Sequence, residues 1–263
     1  IAACQIRMGI IESTHGAKAG HPGGSLSSAE MFAYLYNKEL RIDPKQPKKA
    51  DRDRFVLSKG HTAPGLYSAL AYRGFFPVSD LPTLRHADSY LQGHPNMNLV
   101  PGVDMSTGSL GQGVSCAAGM AKGAKYLHQD VNVYTLLGDG EIAEGEVWEA
   151  MLFAAHYKLD NFCMIIDLNG LQIDGSNDEV MSLGDIQAKF KAFGYDVIDV
   201  ADGNDMQQVL DALHAPACPG KPRLIHLHTL KGKGVSFMEG QVGWHGKAPN
   251  AEQTAQALSE LEG

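Results

Sequence analysis

The chain has 263 residues, of which 44% are apolar and 20% charged, with a formal net charge of −8. That composition fits a globular protein of one large or two small α/β domains. The acidic balance, without any basic cluster, argues against nucleic acid as a partner, and no apolar run approaches the length of a membrane span.

In chain order, the pattern predicts a helix over 1–18, ended by Gly20-His21-Pro22-Gly23-Gly24. A second helix over 28–40 places Met31, Phe32, Leu35 and Tyr36 on one face. A short strand, Phe55-Val56-Leu57, leads to Ser58-Lys59-Gly60-His61, and a helix follows over 64–73. Residues 74–106 read as a long connection. An Ala- and Gly-rich helix over 113–127 should pack closely on a neighbour. Strands are then expected at 131–137, 162–167, 195–200 and 223–228, with helices at 144–158, 182–193, 205–214 and 250–261. Alternating strands and helices predict a doubly wound, mostly parallel sheet with helices on both faces. Neither an internal repeat nor a low-complexity segment is visible.

Two apolar runs end in oxygen ligands. Val131–Leu137 closes with Gly138-Asp139-Gly140-Glu141, and Phe162–Ile166 closes with Asp167-Leu168-Asn169-Gly170. Two adjacent parallel strands would bring Asp139 and Asn169 to the carboxyl edge of the sheet, where open α/β folds place their ligands. Magnesium takes six oxygens, few of them from protein, and is the hard cation that neutralises a diphosphate. Asp139 offers a carboxylate, Asn169 an amide oxygen and Leu171 a backbone carbonyl. Gly138 and Gly140 let the backbone approach the phosphate, and a helix starting near Glu144 presents its positive end to the anion. Read alone, Gly-Asp-Gly is an ordinary strand-to-helix turn. With the second strand end at this distance, it reads as a metal–diphosphate site.

Four histidines lie in Gly- or Pro-containing loops: His21, His61, His94 and His245. A single loop histidine is usually a surface residue. Four in one setting fit proton transfers on the hydroxyl and carbonyl groups of a sugar. The loop Thr107-Gly108-Ser109-Leu110-Gly111-Gln112-Gly113 matches neither a P-loop nor a Rossmann turn, and near Asp139 its backbone can lie against a cofactor ring. Glu144 and Glu149 are either ordinary helix acids or members of a buried acid network at a subunit contact. The cysteines, Cys4, Cys116, Cys163 and Cys218, form no CxxC pair and so indicate neither a zinc site nor a redox motif. Cys116 and Cys163 are expected to be buried and reduced, as in a cytoplasmic protein. No signal peptide is visible.

The stretches AGHPGGSLS, DRDRFVLSKGHTAPGLYSAL, LQGHPN, PGVDMSTGSLGQGVSCAAGMA, LLGDGEIAEGEVWEA, DLNGLQIDG, KGKGVSFME and WHG resemble the diphosphate-binding part of transketolase over nearly the whole chain. The resemblance implies a six-stranded parallel sheet and thiamine diphosphate with magnesium, or calcium or manganese in its place. It implies Asp139, Asn169 and the Leu171 carbonyl as metal ligands. It assigns Gly140, His61 and His245 to the diphosphate, with Gly138 and Glu141 beside them, and Gly108 and Leu110 to the aminopyrimidine. His21, His61, His94 and His245 match residues of the substrate channel. Glu144 and Glu149 match acids that link two active sites across a dimer, and Glu144 is expected with the four histidines to be catalytic.

Full-length members of that family continue into a pyrimidine-binding and a C-terminal domain. Residues 1–263 therefore read as a single diphosphate-binding domain, with those two domains expected on a partner chain. The expected assembly is a heterotetramer of two such chains and two partners, inactive as separate chains and acting on sugar phosphates. Leu261-Glu262-Gly263 reads as a natural finish, a piece of a longer protein being the other reading. Two other functions fit the same motifs: a related thiamine diphosphate transferase for an unusual sugar, and a non-catalytic regulatory subunit. Loss of Asp139, Asn169 or the histidines would mark the last, and all are present.

Overall fold

A computed structural model describes residues 1–262; Gly263, the last residue of the expected terminal finish, lies outside them. The amino-terminal part forms helices α1 (Ala2–Ala17), α2 (Pro22–Leu26) and α3 (Ala29–Tyr34). Strand β1 (Arg54–Leu57) and helix α4 (Ala63–Arg73) follow, and after a long connection comes α5 (Gln112–Tyr126). The alternating part runs β2 (Val133–Gly138), α6 (Gly145–His156), β3 (Phe162–Leu168), α7 (Asn177–Val180), α8 (Ile186–Ala192), β4 (Asp196–Val200), α9 (Met206–Leu213) and β5 (Arg223–His228), and α10 (Ala251–Glu262) ends the described chain.

The strands form one sheet in the order β1-β2-β3-β5-β4, and every pairing is parallel. Among the described residues the sheet has five strands, not the six that the resemblance implies. Among the described residues, the chain beyond β5 does not return to the sheet. It turns through 230–240, where the Gly232 N–H donates to the Gly23 carbonyl at 3.0 Å, and ends in α10, which packs on α1.

Both faces of the sheet are covered, which is why its central strands read as continuous apolar runs. Leu57, Leu136, Ile165 and Ile225 face one core, built with α1, α3, α4 and α9. Val56, Leu137, Ile166 and Leu224 face the other, built with α5, α6 and α8. The close fit foreseen for the small-residue helix is real: Val114, Ala117, Ala118, Ala121 and Ala124 of α5 are buried. Cys116 lies off that stripe and is exposed, contrary to expectation, whereas Cys163 is buried in β3.

The helix expected over 28–40 is broken in two. Helix α3 passes into a π turn, Leu35–Glu39, which ends when Leu40 turns extended. The helix expected over 182–193 begins only at Ile186, because the Asp185 carboxylate caps it by accepting from the Ala188 N–H at 2.8 Å. Between β2 and α6 lies a 3-10 turn, Gly140–Ala143, so the helix starts one residue later than expected. No described helix is long and apolar enough to cross a membrane.

Candidate active site

Four strands deliver their carboxyl ends to one cavity of about 330 Å³. The last paired residues of β2 and β3 are Gly138 and Asp167, so Asp139 and Asn169 leave neighbouring strands side by side. β1 supplies Lys59 and His61; the N–H groups of Ser58 and Lys59 both donate to the Leu136 carbonyl, which bends the chain over the end of β2. β5 supplies Lys231 through the turn that follows it. His21 enters from the start of α2, where Pro22 at the first helical position fixes the turn.

Asp139 is buried. Its Oδ1 accepts from the Gly140 N–H at 2.9 Å, and its Oδ2 from the Gly170 N–H at 2.8 Å and the Asn177 amide at 3.0 Å. These bonds tie the end of β2 to the loop after β3. Burial, and then the neighbouring Asp167 carboxylate, push the Asp139 carboxyl above its ordinary range, so added positive charge here is favourable. The Asn169 Oδ1 accepts from the Leu171 N–H at 3.2 Å, while its amide donates to Asp167 at 3.1 Å. The carbonyl of Leu171 accepts from the Lys231 ammonium at 2.9 Å. Of the three proposed metal ligands, one thus already holds a cationic group.

Asp167 stands in the sequence only as part of a strand end, yet it organises the floor of the cavity. It is fully buried and accepts from Lys59 Nζ at 2.6 Å, Ser27 Oγ at 2.7 Å and Thr229 Oγ1 at 2.5 Å. Burial opposes its ionisation, but the Lys59 ammonium and the two hydroxyls hold its carboxyl below the ordinary range. Lys59 and Lys231 are almost entirely buried. They place two cationic groups beside two carboxylates, Asp139 and Asp167, in a cavity that still has room for an anion.

His21, His61 and His245 form a triangle of rings with centroids 5.2, 5.4 and 5.4 Å apart. Burial, then Arg85, lowers His21 to about 4; burial, then Lys231, lowers His245 to about 4. Burial, then Lys59, holds His61 well below the usual imidazole value. All three are neutral at neutral pH, and a neutral ring offers one donor and one acceptor nitrogen. His21 Nδ1 is buried without a hydrogen-bond partner among the described residues. His94 is exposed and packs behind Gly108, whose added Cβ would meet its ring at 3.1 Å, rather than lining the cavity.

Gly108, Leu110, Gly138, Gly140 and Glu141 all border the cavity. Gly138 is informative. A Cβ there would meet nothing in the chain closer than Lys59 at 3.7 Å, an ordinary contact, so a glycine here leaves space for something inside the cavity. The Glu141 carboxylate is taken up elsewhere. It accepts from Ser58 Oγ at 2.5 Å, the Gly111 N–H at 2.9 Å and the Gly138 N–H at 3.1 Å, fastening three segments together. Its carboxylate is thus occupied as an anchor. Glu144, expected among the catalytic residues, does not line the cavity; it is exposed at the start of α6, as is Glu149 further along. The buried acid of this motif is Glu141.

The residues fit a diphosphate with its cation. Two oxygen-bearing side chains and a carbonyl converge from adjacent strand ends, buried ammonium groups flank them, and Gly138 keeps the approach clear. The family profile described as "Transketolase, thiamine diphosphate binding domain" matches residues 1–262. The chain belongs to the transketolase family. It is 43% identical to the 6-deoxy-6-sulfo-D-fructose transketolase subunit SqwG of Clostridium sp. (strain MSTE9), covering 98% of this chain and 94% of that one. It is 43% identical to an apulose-4-phosphate transketolase subunit of Phocaeicola vulgatus, covering 97% and 90%. Among solved structures, transketolase from Leishmania mexicana superposes with a TM-score of 0.95 at 33% identity, covering 99% of this chain and 41% of that chain. The chain thus spans about two fifths of that transketolase but nearly the full length of the two named subunits. Family, fold class and transferase class agree with the resemblance drawn from the loop motifs.

Four residues of the site had no role assigned from the sequence: Lys59, Asp167 and Lys231, which lie inside the family-like stretches, and Asn177, which lies outside them. Asn177 had a visible signal, the Ser176-to-Glu179 capping box that starts α7 and aims its amide at Asp139. Asp167 had one too, as a charged residue at the end of an otherwise apolar run.

Proposed function

We propose that this chain is the diphosphate-binding subunit of a two-chain transketolase, moving a two-carbon ketol unit from a ketose phosphate to an aldose phosphate. Its partner would carry the pyrimidine domain, in a heterotetramer with two copies of each chain. The observation that carries this reading is the convergence of Asp139, Asn169 and the Leu171 carbonyl beside two buried lysines.

Bound thiamine diphosphate supplies a nucleophilic carbon and an electron sink for breaking and making a carbon–carbon bond beside a carbonyl. Asp139, Asn169 and the Leu171 carbonyl would hold its magnesium ion, and the oxygen-only set suits a hard cation. Lys59 and Lys231 would balance the phosphate charge, and the backbone at Gly108 and Leu110 would lie against the cofactor's rings. The neutral rings of His21, His61 and His245 would accept and return protons at the sugar's hydroxyl and carbonyl oxygens. His94 would act from the rim.

Among known sugars the donor is open to an unusual one, since two relatives of this length are named for sulfofructose and apulose 4-phosphate. A regulatory, non-catalytic role is disfavoured by the full set of acids, amide and histidines around one cavity. The test is a coupled ketol-transfer assay on this chain alone, and mixed with the product of a neighbouring reading frame that carries a pyrimidine domain. Thiamine diphosphate, magnesium and three donors, xylulose 5-phosphate, sulfofructose and apulose 4-phosphate, would be supplied. Activity in the mixture only is expected, with the donor identified by rate. A mixture that binds the cofactor yet transfers nothing from any donor would count against the transketolase reading.

A further inference from the structure

A second cluster of ligating groups lies on the opposite face of the sheet from Asp167. On β5, His226 and His228 are two residues apart and point to the same side. On the neighbouring edge strand β4, Asp199 pairs directly with His226. That side is the core of α5, α6 and α8, because His226 is in register with Ile166 and His228 with Leu168. Asp199 Oδ1 is 2.9 Å from His226 Nδ1 and 3.0 Å from His228 Nε2. One ligating atom from each of the three residues lies within 4.8 Å of the other two.

We propose that Asp199, His226 and His228 form a site for a divalent transition-metal ion, zinc being the best match, separate from the diphosphate cavity. The geometry is that of a tripod on one sheet face: two imidazoles from one strand and a carboxylate from the next. Two nitrogens and one oxygen suit zinc, copper or nickel and suit magnesium poorly. Three protein ligands leave a fourth position open for water or a small ligand. That position has somewhere to face, since His226 and His228 both line a cleft of about 460 Å³. Asp178 and Asp185 line the same cleft and add to the negative field around the ion.

The three residues are also graded in burial. The His226 side chain is 5% exposed, whereas His228 and Asp199 are 43% and 40% exposed. One ligand is thus fixed in the fold while the other two are reachable from solvent, so an ion can enter and leave. His226 Nε2 is buried with no partner among the described residues, so the ring's hydrogen bond is the one to Asp199. Binding would replace the hydrogen bonds to Asp199 Oδ1 by bonds to the metal, each imidazole binding in its neutral form with its single ring proton moved to the other nitrogen, Nε2 of His226 and Nδ1 of His228. The site spans β4 and β5, so occupancy would clamp the edge strand to the sheet and stabilise the native chain by mass action.

The test titrates zinc chloride into the chelator-stripped chain in excess magnesium, by calorimetry, with the melting temperature as a second readout. The expected result is one tight equivalent of zinc and a raised melting temperature. His228→Ala and Asp199→Ala alter half-exposed positions, keep the buried His226, and should each weaken that equivalent at least about tenfold. A wild-type chain that takes up no zinc overturns the proposal. So does an equivalent that survives either substitution, which would place the zinc on the loop histidines or a cysteine.

Discussion

The ammonium of Lys231 donates to the carbonyl oxygen of Leu171 at 2.9 Å and lies 3.1 Å from His245 Nδ1. A cation and a phosphate would therefore draw on the same lysine in opposite senses. Burial lowers the Lys231 ammonium below its ordinary range, with Asp139 and then Asp167 opposing the shift. Lys231→Met should free the carbonyl while removing a positive charge. The expected outcome is tighter binding of magnesium alone, but diphosphate binding weakened about tenfold or more, or roughly 1.4 kcal/mol. Calorimetry with magnesium and with inorganic diphosphate separates the two; weakening of both would show that the lysine only supports the loop.

The buried pair of Lys59 and Asp167, 2.6 Å apart, should behave asymmetrically. Lys59→Met leaves Asp167 charged and buried beside two hydroxyls, and should cost about 3–5 kcal/mol of stability. Lys59→Met combined with Asp167→Leu removes the stranded charge and should recover a large part of that loss. Recovery will be incomplete, because Ser27 and Thr229 then lose their acceptor. Urea unfolding midpoints of the single and double variants measure this.

Gly138→Ala separates packing from ligand space. The added methyl meets only ordinary contacts in the chain, so stability should change by less than about 0.5 kcal/mol. The concentration of thiamine diphosphate needed for half-maximal binding should nevertheless rise about tenfold or more, or roughly 1.4 kcal/mol. Equal binding by variant and wild type would mean that the ligand does not approach the strand end at Gly138.

Stability should fall on mild acidification. An unfolded histidine takes its proton as pH drops through about 6.5, whereas folded His21 and His245 stay neutral until about 4. Between those values the unfolded state binds more protons, so stability decreases as pH decreases. His61 adds to the loss with the same sign. Asp167 is shifted in the same direction and acts lower in pH: its contribution is present above the ordinary carboxyl value and is lost as pH falls through its depressed one. Unfolding midpoints of the cofactor-free chain from pH 7 to 4 should therefore decline, and His245→Asn should make the decline shallower.

Much of the fold was legible because the central strands are buried on both faces and so appear as uninterrupted apolar runs. The expected strand over 223–228 matches β5, and 162–167 falls one residue short of β3. The strand order was not legible, since each pairing depends on crossovers that no local pattern records. The break in the helix over 28–40 was missed because Leu35 and Tyr36 continue the apolar face through the π turn. The candidate site was legible wherever glycine marks a close approach, as at Gly138 and Gly108. Lys59, between Ser58 and Gly60, and Lys231, at the head of Lys231-Gly232-Lys233-Gly234, escaped notice because a lysine beside glycine reads as a solvated loop residue. Only the tertiary placement of Asp167, Asp139 and the Leu171 carbonyl shows why each is buried.

The pairing of Gly138 with Asp167 sets the spacing of Asp139 and Asn169 by the repeat of the ladder itself. Shifting β3 along β2 by one residue would turn every side chain of the strand to the other face. Asp167 would leave Lys59, and Asn169 would no longer stand beside Asp139. Capture of a cation there would thus act as a proofreading step on strand alignment, because a misregistered chain would not bring Asp139 and Asn169 together. Cofactor supplied during folding should accordingly raise the yield of correctly aligned sheet, beyond stabilising what has already formed.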